Sequence, residues 1–90
     1  MKVWNKKVYV PVTVDVCSDG TVLPRMITWA DGTRYLIDQV TDVRLAARMR
    51  SGGLGDRYTV HINGRKSYLY FERSLNLTDA NLGRWFVVRR

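Results

Sequence analysis

The sequence predicts an all-β domain, a small antiparallel barrel or strongly rolled sheet of about six strands. Two observations carry this expectation. Residues 7–16 alternate apolar and polar without a break, and turn chemistry recurs at short intervals through the rest of the chain. Closing the sheet would also hide the edges that such Val-rich strands otherwise offer to other chains.

The first element is the run KVYVPVTVDV. Val8, Val10, Val12, Val14 and Val16 share one side, and Lys7, Tyr9, Pro11, Thr13 and Asp15 share the other. A period of two means a strand with one buried face. Pro11 has no N–H to give to a ladder, so the strand needs an open side there, at an edge or a bulge. Cys17 to Gly20 is turn chemistry and reverses the chain into a strand from Val22 to Trp29.

Two registers compete at the next reversal. A two-residue Asp31-Gly32 turn sets Trp29 opposite Arg34. A three-residue Ala30-Asp31-Gly32 loop, with Gly32 left-handed in a bulge, shifts the pairing by one. The second gathers Ile27, Trp29, Tyr35 and Ile37 on one face and leaves Thr28, Arg34 and Asp38 on the other. A one-residue slip exchanges the faces, so the register with the cleaner apolar face is preferred.

From Val40 to Arg50 the residues tolerate helix or strand, and Thr41 and Val43 favour strand. Ser51 to Asp56 is glycine-rich, but no Gly-Lys-Ser/Thr follows to make it a phosphate loop, so it is expected to connect a hairpin. Asn63-Gly64 is a strong type I′ turn signal. It sets Ile62 opposite Arg65, Val60 opposite Ser67 and Tyr58 opposite Leu69, with Phe71 on the same side, as a core face. Ser74 to Gly83 reads as a long loop, and residues 84–90 as the last strand. The whole is one domain, 1–90, of the SH3-like or OB-like kind.

Composition removes several functions. Cys17 is the only cysteine and His61 the only histidine, which rules out an internal disulfide and a cysteine zinc cage and leaves only an unsupported Cys/His dyad. Asp38 and Asp42 lack a third oxygen ligand for a hard cation, and a salt bridge to Arg34, Arg44 or a similar partner suits them better. Glu72 is the only glutamate and is far along the chain from both. No catalytic residue, metal site or cofactor is expected, and the protein is read as a non-enzyme. No apolar run approaches a membrane span and no secretory signal is evident, so a cytoplasmic, non-membrane protein is the default expectation.

The positive side is charge. Fifteen basic and eight acidic residues give a net +7, and eleven of the fifteen are arginines. A field of that sign attracts polyanions, and the guanidinium fork suits phosphates. The hairpin supplies a surface to go with it, because its second face carries Arg57 with Tyr70, Thr59 with Tyr68, and His61 with Lys66, ending at Glu72. Rings interleaved with cations are what single-stranded nucleic-acid platforms use. The first expectation is therefore a module binding single-stranded nucleic acid or RNA through Arg57, His61, Lys66, Tyr68 and Tyr70. The same residues could equally serve as cross-strand pairs under a cover, as a second core. The alternative function is protein–protein interaction or scaffolding, through this face or by strand addition at the Pro11 edge. Lys2, Lys6, Lys7, Arg44, Arg48, Arg50, Arg84, Arg89 and Arg90 extend the surface if they converge on it.

The run Pro24-x-x-Ile27-x-Trp29-x-Asp31-Gly32-x-Arg34-Tyr35-x-Ile37-x-x-Val40-x-Asp42-x-Arg44 resembles the central segment of small bacterial proteins known only as domains of unknown function. Some of those are encoded beside translesion DNA polymerases. The likeness covers residues 24–44, with a longer turn between Trp29 and Tyr35 here. It implies a small β-domain from a bacterial or phage-like setting and a link to DNA, and it brings no catalytic residue.

Overall fold

The computed structural model describes residues 6–48, 54–74 and 82–89. Its elements are eight strands: β1 (Lys6–Tyr9), β2 (Val12–Val16), β3 (Val22–Thr28), β4 (Arg34–Leu36), β5 (Gln39–Arg48), β6 (Leu54–Ile62), β7 (Arg65–Arg73) and β8 (Gly83–Arg89). They form two antiparallel sheets, one of five strands in the order β1-β8-β7-β6-β5 and one of three in the order β2-β3-β4. The expected all-β class is present. Of the expected barrel or rolled sheet of about six strands, no closed barrel forms, and the described strands number eight in two sheets.

The difference arises at two corners. The extended run read as one strand divides at Val10 and Pro11: β1 pairs with β8 in the large sheet and β2 with β3 in the small one. The Val10 N–H donates to Trp85 (3.0 Å), and the Pro11 carbonyl accepts from Thr28 (3.0 Å), so the two residues serve different sheets. Pro11 thus lies between two edge strands, where a missing donor costs no ladder bond. A second corner lies between β4 and β5, where Ile37 donates to Arg25 of the small sheet and Asp38 to His61 of the large one, both at 2.8 Å. Strands that bend from one layer into the next are a common way to join packed sheets.

The turns behave as their chemistry predicts. Gly20, Gly32, Asn63 and Gly64 all have positive φ. Trp29 and Thr33 close the three-residue loop, with Ile27 opposite Tyr35, which is the preferred register of the two considered. Every predicted β6–β7 pair, from Ile62 with Arg65 to Arg57 with Tyr70, is observed. The chain from Gln39 to Arg48 is strand, whereas residues 49 and 50 lie outside the described residues. Two loops are shorter than expected. Leu54 to Asp56 open β6, because Gly55 and Asp56 pair with Glu72 and Phe71, and Gly83 opens β8 opposite Arg73. The remainder of those loops, 51–53 and 75–81, is outside the described residues.

The core lies between the sheets. Val10, Ile27, Ile37, Tyr58, Val60 and Leu69 are buried together, with Val8, Val12, Trp29, Val40, Ile62, Phe71, Trp85 and Val87 packed around them. Tyr58 and Phe71 both lean on Trp85, at 5.2 and 4.9 Å between ring centroids. At one end of this layer the buried Asp56 carboxylate accepts from Arg73 at 2.9 Å. Of the two aspartates read as salt-bridge formers, Asp42 meets Arg44 at 3.4 Å, and Asp38 instead accepts the Asn63 N–H at 2.9 Å. Among the described residues no helix is long and apolar enough to cross a membrane.

Candidate nucleic-acid interface

Residues directly opposite in an antiparallel ladder share a face. One row across the large sheet therefore reads Tyr9, Phe86, Tyr70, Arg57, Arg44, all on the side away from the small sheet. The neighbouring rows add Tyr68 with Thr59 and Asp42, Lys66 with His61 and Gln39, and Glu72 with Arg84. All five candidate residues, Arg57, His61, Lys66, Tyr68 and Tyr70, lie on this outward face.

They fall into two environments. Tyr70 is half-buried because Phe86 stacks on it at 5.0 Å and 12°. Phe86 is 1% exposed despite facing outward. Tyr9 meets its edge at 5.7 Å, and Lys7 lies over it, with Nζ 4.8 Å from the ring centroid. Lys7 then ends on Glu72 Oε1 at 2.8 Å. Glu72 Oε2 also accepts from Tyr9 Oη and from Arg84 Nη2, each at 3.0 Å, and Arg84 sits 4.0 Å over the Tyr9 ring. A cap of cations and one carboxylate thus covers Phe86, and Tyr70 is half-buried against it.

The other half is open. Tyr68 is 41% exposed, with Arg57 Cζ 4.9 Å and Lys66 Nζ 5.8 Å from its ring centroid. Both distances lie within cation–π range. Arg57 is half-buried, its Nε enclosed with no hydrogen-bond acceptor among the described residues, while Lys66 is exposed. His61 is half-buried with Nε2 3.3 Å from Thr41 Oγ1.

The supplementary cations divide as well. Lys7, Arg44 and Arg84 share the outward face, and Lys6 and Arg89 pair on the opposite one, where Arg89 lies 5.6 Å from the Trp29 ring. Lys2, Arg50 and Arg90 lie outside the described residues, as does the Arg48 side chain. On the outward face five cations, Lys7, Arg44, Arg57, Lys66 and Arg84, stand against two carboxylates, Asp42 and Glu72. Glu72 engages Lys7 and Arg84, and Asp42 engages Arg44. Among the described residues Arg57 and Lys66 form no ion pair and converge on Tyr68 instead.

Neither the place of Phe86 nor the cap of Lys7, Tyr9 and Arg84 on Glu72 is legible in the sequence. The alternation of residues 84–89 separates Phe86 from Trp85 but does not say which of them faces the core. Cys17 is exposed at its turn, and among the described residues no group of three or more His, Cys, Asp and Glu side chains could hold a metal. No protein-family model, curated protein or solved structure matches the chain.

Proposed function

We propose that the protein is a non-enzymatic module that binds single-stranded nucleic acid, DNA or RNA, with little sequence preference. One observation carries this reading: Tyr68 presents a partly exposed ring on the outward sheet face, with Arg57 and Lys66 beside it, on a chain of net charge +7. A base stacks on Tyr68 and adjoining phosphates take Lys66 and Arg57, with Arg44 and His61 at the margin. Stacking on an aromatic side chain contributes about 1–3 kcal/mol per base and is sequence-tolerant, since every base has a π face. Tyr70, half-buried against Phe86, supports the platform from the neighbouring row.

The test is anisotropy of a labelled mixed-sequence single-stranded oligonucleotide, titrated with the full chain at several salt concentrations. Affinity falls with salt, at about −0.7 in log–log slope per phosphate neutralised, and Lys66→Ala lowers the slope by about that amount. Tyr68→Ala weakens binding about tenfold at every salt concentration with little change in melting temperature. Tyr70→Ala, by contrast, breaks the stack with Phe86. It costs somewhat less than the about 3–5 kcal/mol of a fully buried ring, visible as a fall of several degrees in Tm. Absence of binding at low salt defeats the proposal and turns the search to protein partners of this face.

A further inference from the structure

Strand β5 is the outer strand of the large sheet, and no described strand lies beyond it. Thr41, Asp42, Val43, Arg44 and Leu45 are all exposed, Val43 by 39% and Leu45 by 64%. Proteins commonly blunt such an edge with charge. Here the charges have opposite signs and sit two residues apart on one face, with Val43 between them. Register irregularities lie on either side, between Val40 and Asp42 and between Arg44 and Ala47. Asp42, Val43 and Arg44 form the regular span between them, opposite Thr59, Tyr58 and Arg57.

The Asn63-Gly64 turn indicates which backbone groups look outward. In a two-residue hairpin the flanking pair, Ile62 with Arg65, is hydrogen-bonded, and bonded pairs then alternate along an antiparallel ladder. Counting back along β6, Thr59 and Arg57 direct their backbone groups toward β5, where they meet Asp42 and Arg44. The N–H and C=O of Val43 then project from the open edge.

We propose that β5 is a self-pairing edge, and that a second copy of this chain adds to it antiparallel about a two-fold axis at Val43. The two Val43 residues form the central hydrogen-bonded pair. Asp42 of each copy then stands opposite Arg44 of the other, in the non-bonded arrangement that brings Cα atoms to about 4.5 Å. Like charges at these two positions would repel a second copy, whereas opposite charges make the edge complementary to itself, as an isologous contact requires. Opposite residues share a face, so the Tyr68 platforms of both copies lie on the same side of one continuous sheet. The pairing rests on the edge alone and does not depend on nucleic-acid binding.

Sedimentation velocity of the full chain, without nucleic acid and over a wide concentration range, tests this. The expected result is a concentration-dependent doubling of mass. Arg44→Asp sets acid against acid and Asp42→Arg sets base against base, and each weakens association by on the order of tenfold. The double variant Asp42→Arg/Arg44→Asp restores it. The two side chains are 52% and 67% exposed and their mutual contact is a surface pair, so the melting temperatures of all three variants stay near that of the parent. A parent chain that stays monomeric at its highest soluble concentration overturns the proposal. So does a single variant that associates as tightly as the parent, or a double variant that stays weak.

Discussion

Glu72 holds the closed half of the outward face together. Its carboxylate takes Lys7, Tyr9 and Arg84, and Lys7 reaches it by crossing Phe86. The Lys7 hydrogen bond is the largest reason its pKa lies below the usual glutamate value. Tyr9 and Arg84 add to the effect, and partial burial opposes it. A carboxylate whose pKa is depressed on folding stabilises the protein above its unfolded-state pKa, and that stability is lost as pH falls through the folded-state value. Melting temperature should therefore decline as pH drops through and below the ordinary glutamate range. Glu72→Gln should be less stable at neutral pH and show a shallower acid decline, which thermal melts across pH would measure. The alternation and the hairpin register place Glu72 on this face from sequence alone. Its partners are not legible there, since Lys7 and Tyr9 lie 65 and 63 positions away and only the completed sheet brings them near.

Local turn chemistry explains why some elements were readable. Asn63-Gly64 determines the β6–β7 register because both central residues need positive φ, and the bulged Gly32 does the same for β3–β4. The corner at Pro11 is not readable as a boundary, because period-two alternation continues from Lys7 to Val16 although the chain changes sheets there. The one extended segment that the alternation suggests is two strands in the fold. The β7–β8 register was not readable either, because a long connection carries no turn rule. The structure shows what holds that register. Gly83 has φ of 151°, and a Cβ there would lie 2.7 Å from Phe71 Cζ and closer still to the Glu72 carbonyl. Gly83→Ala should therefore force the strand apart at its start, costing about 2–4 kcal/mol, which urea unfolding would detect.

Across the molecule, the net positive charge predicted an attraction to polyanions but not its distribution. Folding commits Lys7 and Arg84 to a carboxylate and sends Arg89 to the opposite face, leaving the cations around Tyr68 as the open group. The sheet order has a kinetic consequence too. The hairpin around Asn63 closes a short loop, whereas seating β1 on β8 brings together residues such as Tyr9 and Arg84, 75 positions apart. Contacts of such separation carry a large closure entropy and form late. β1 is only four residues long, on the margin of its sheet. Amide exchange should find its protection well below that of β6 and β7, as a separate, earlier opening unit. When that latch lifts, Lys7 and Tyr9 leave with it and the Phe86 ring is bared, so the first sub-global opening of this protein would be a sticky one.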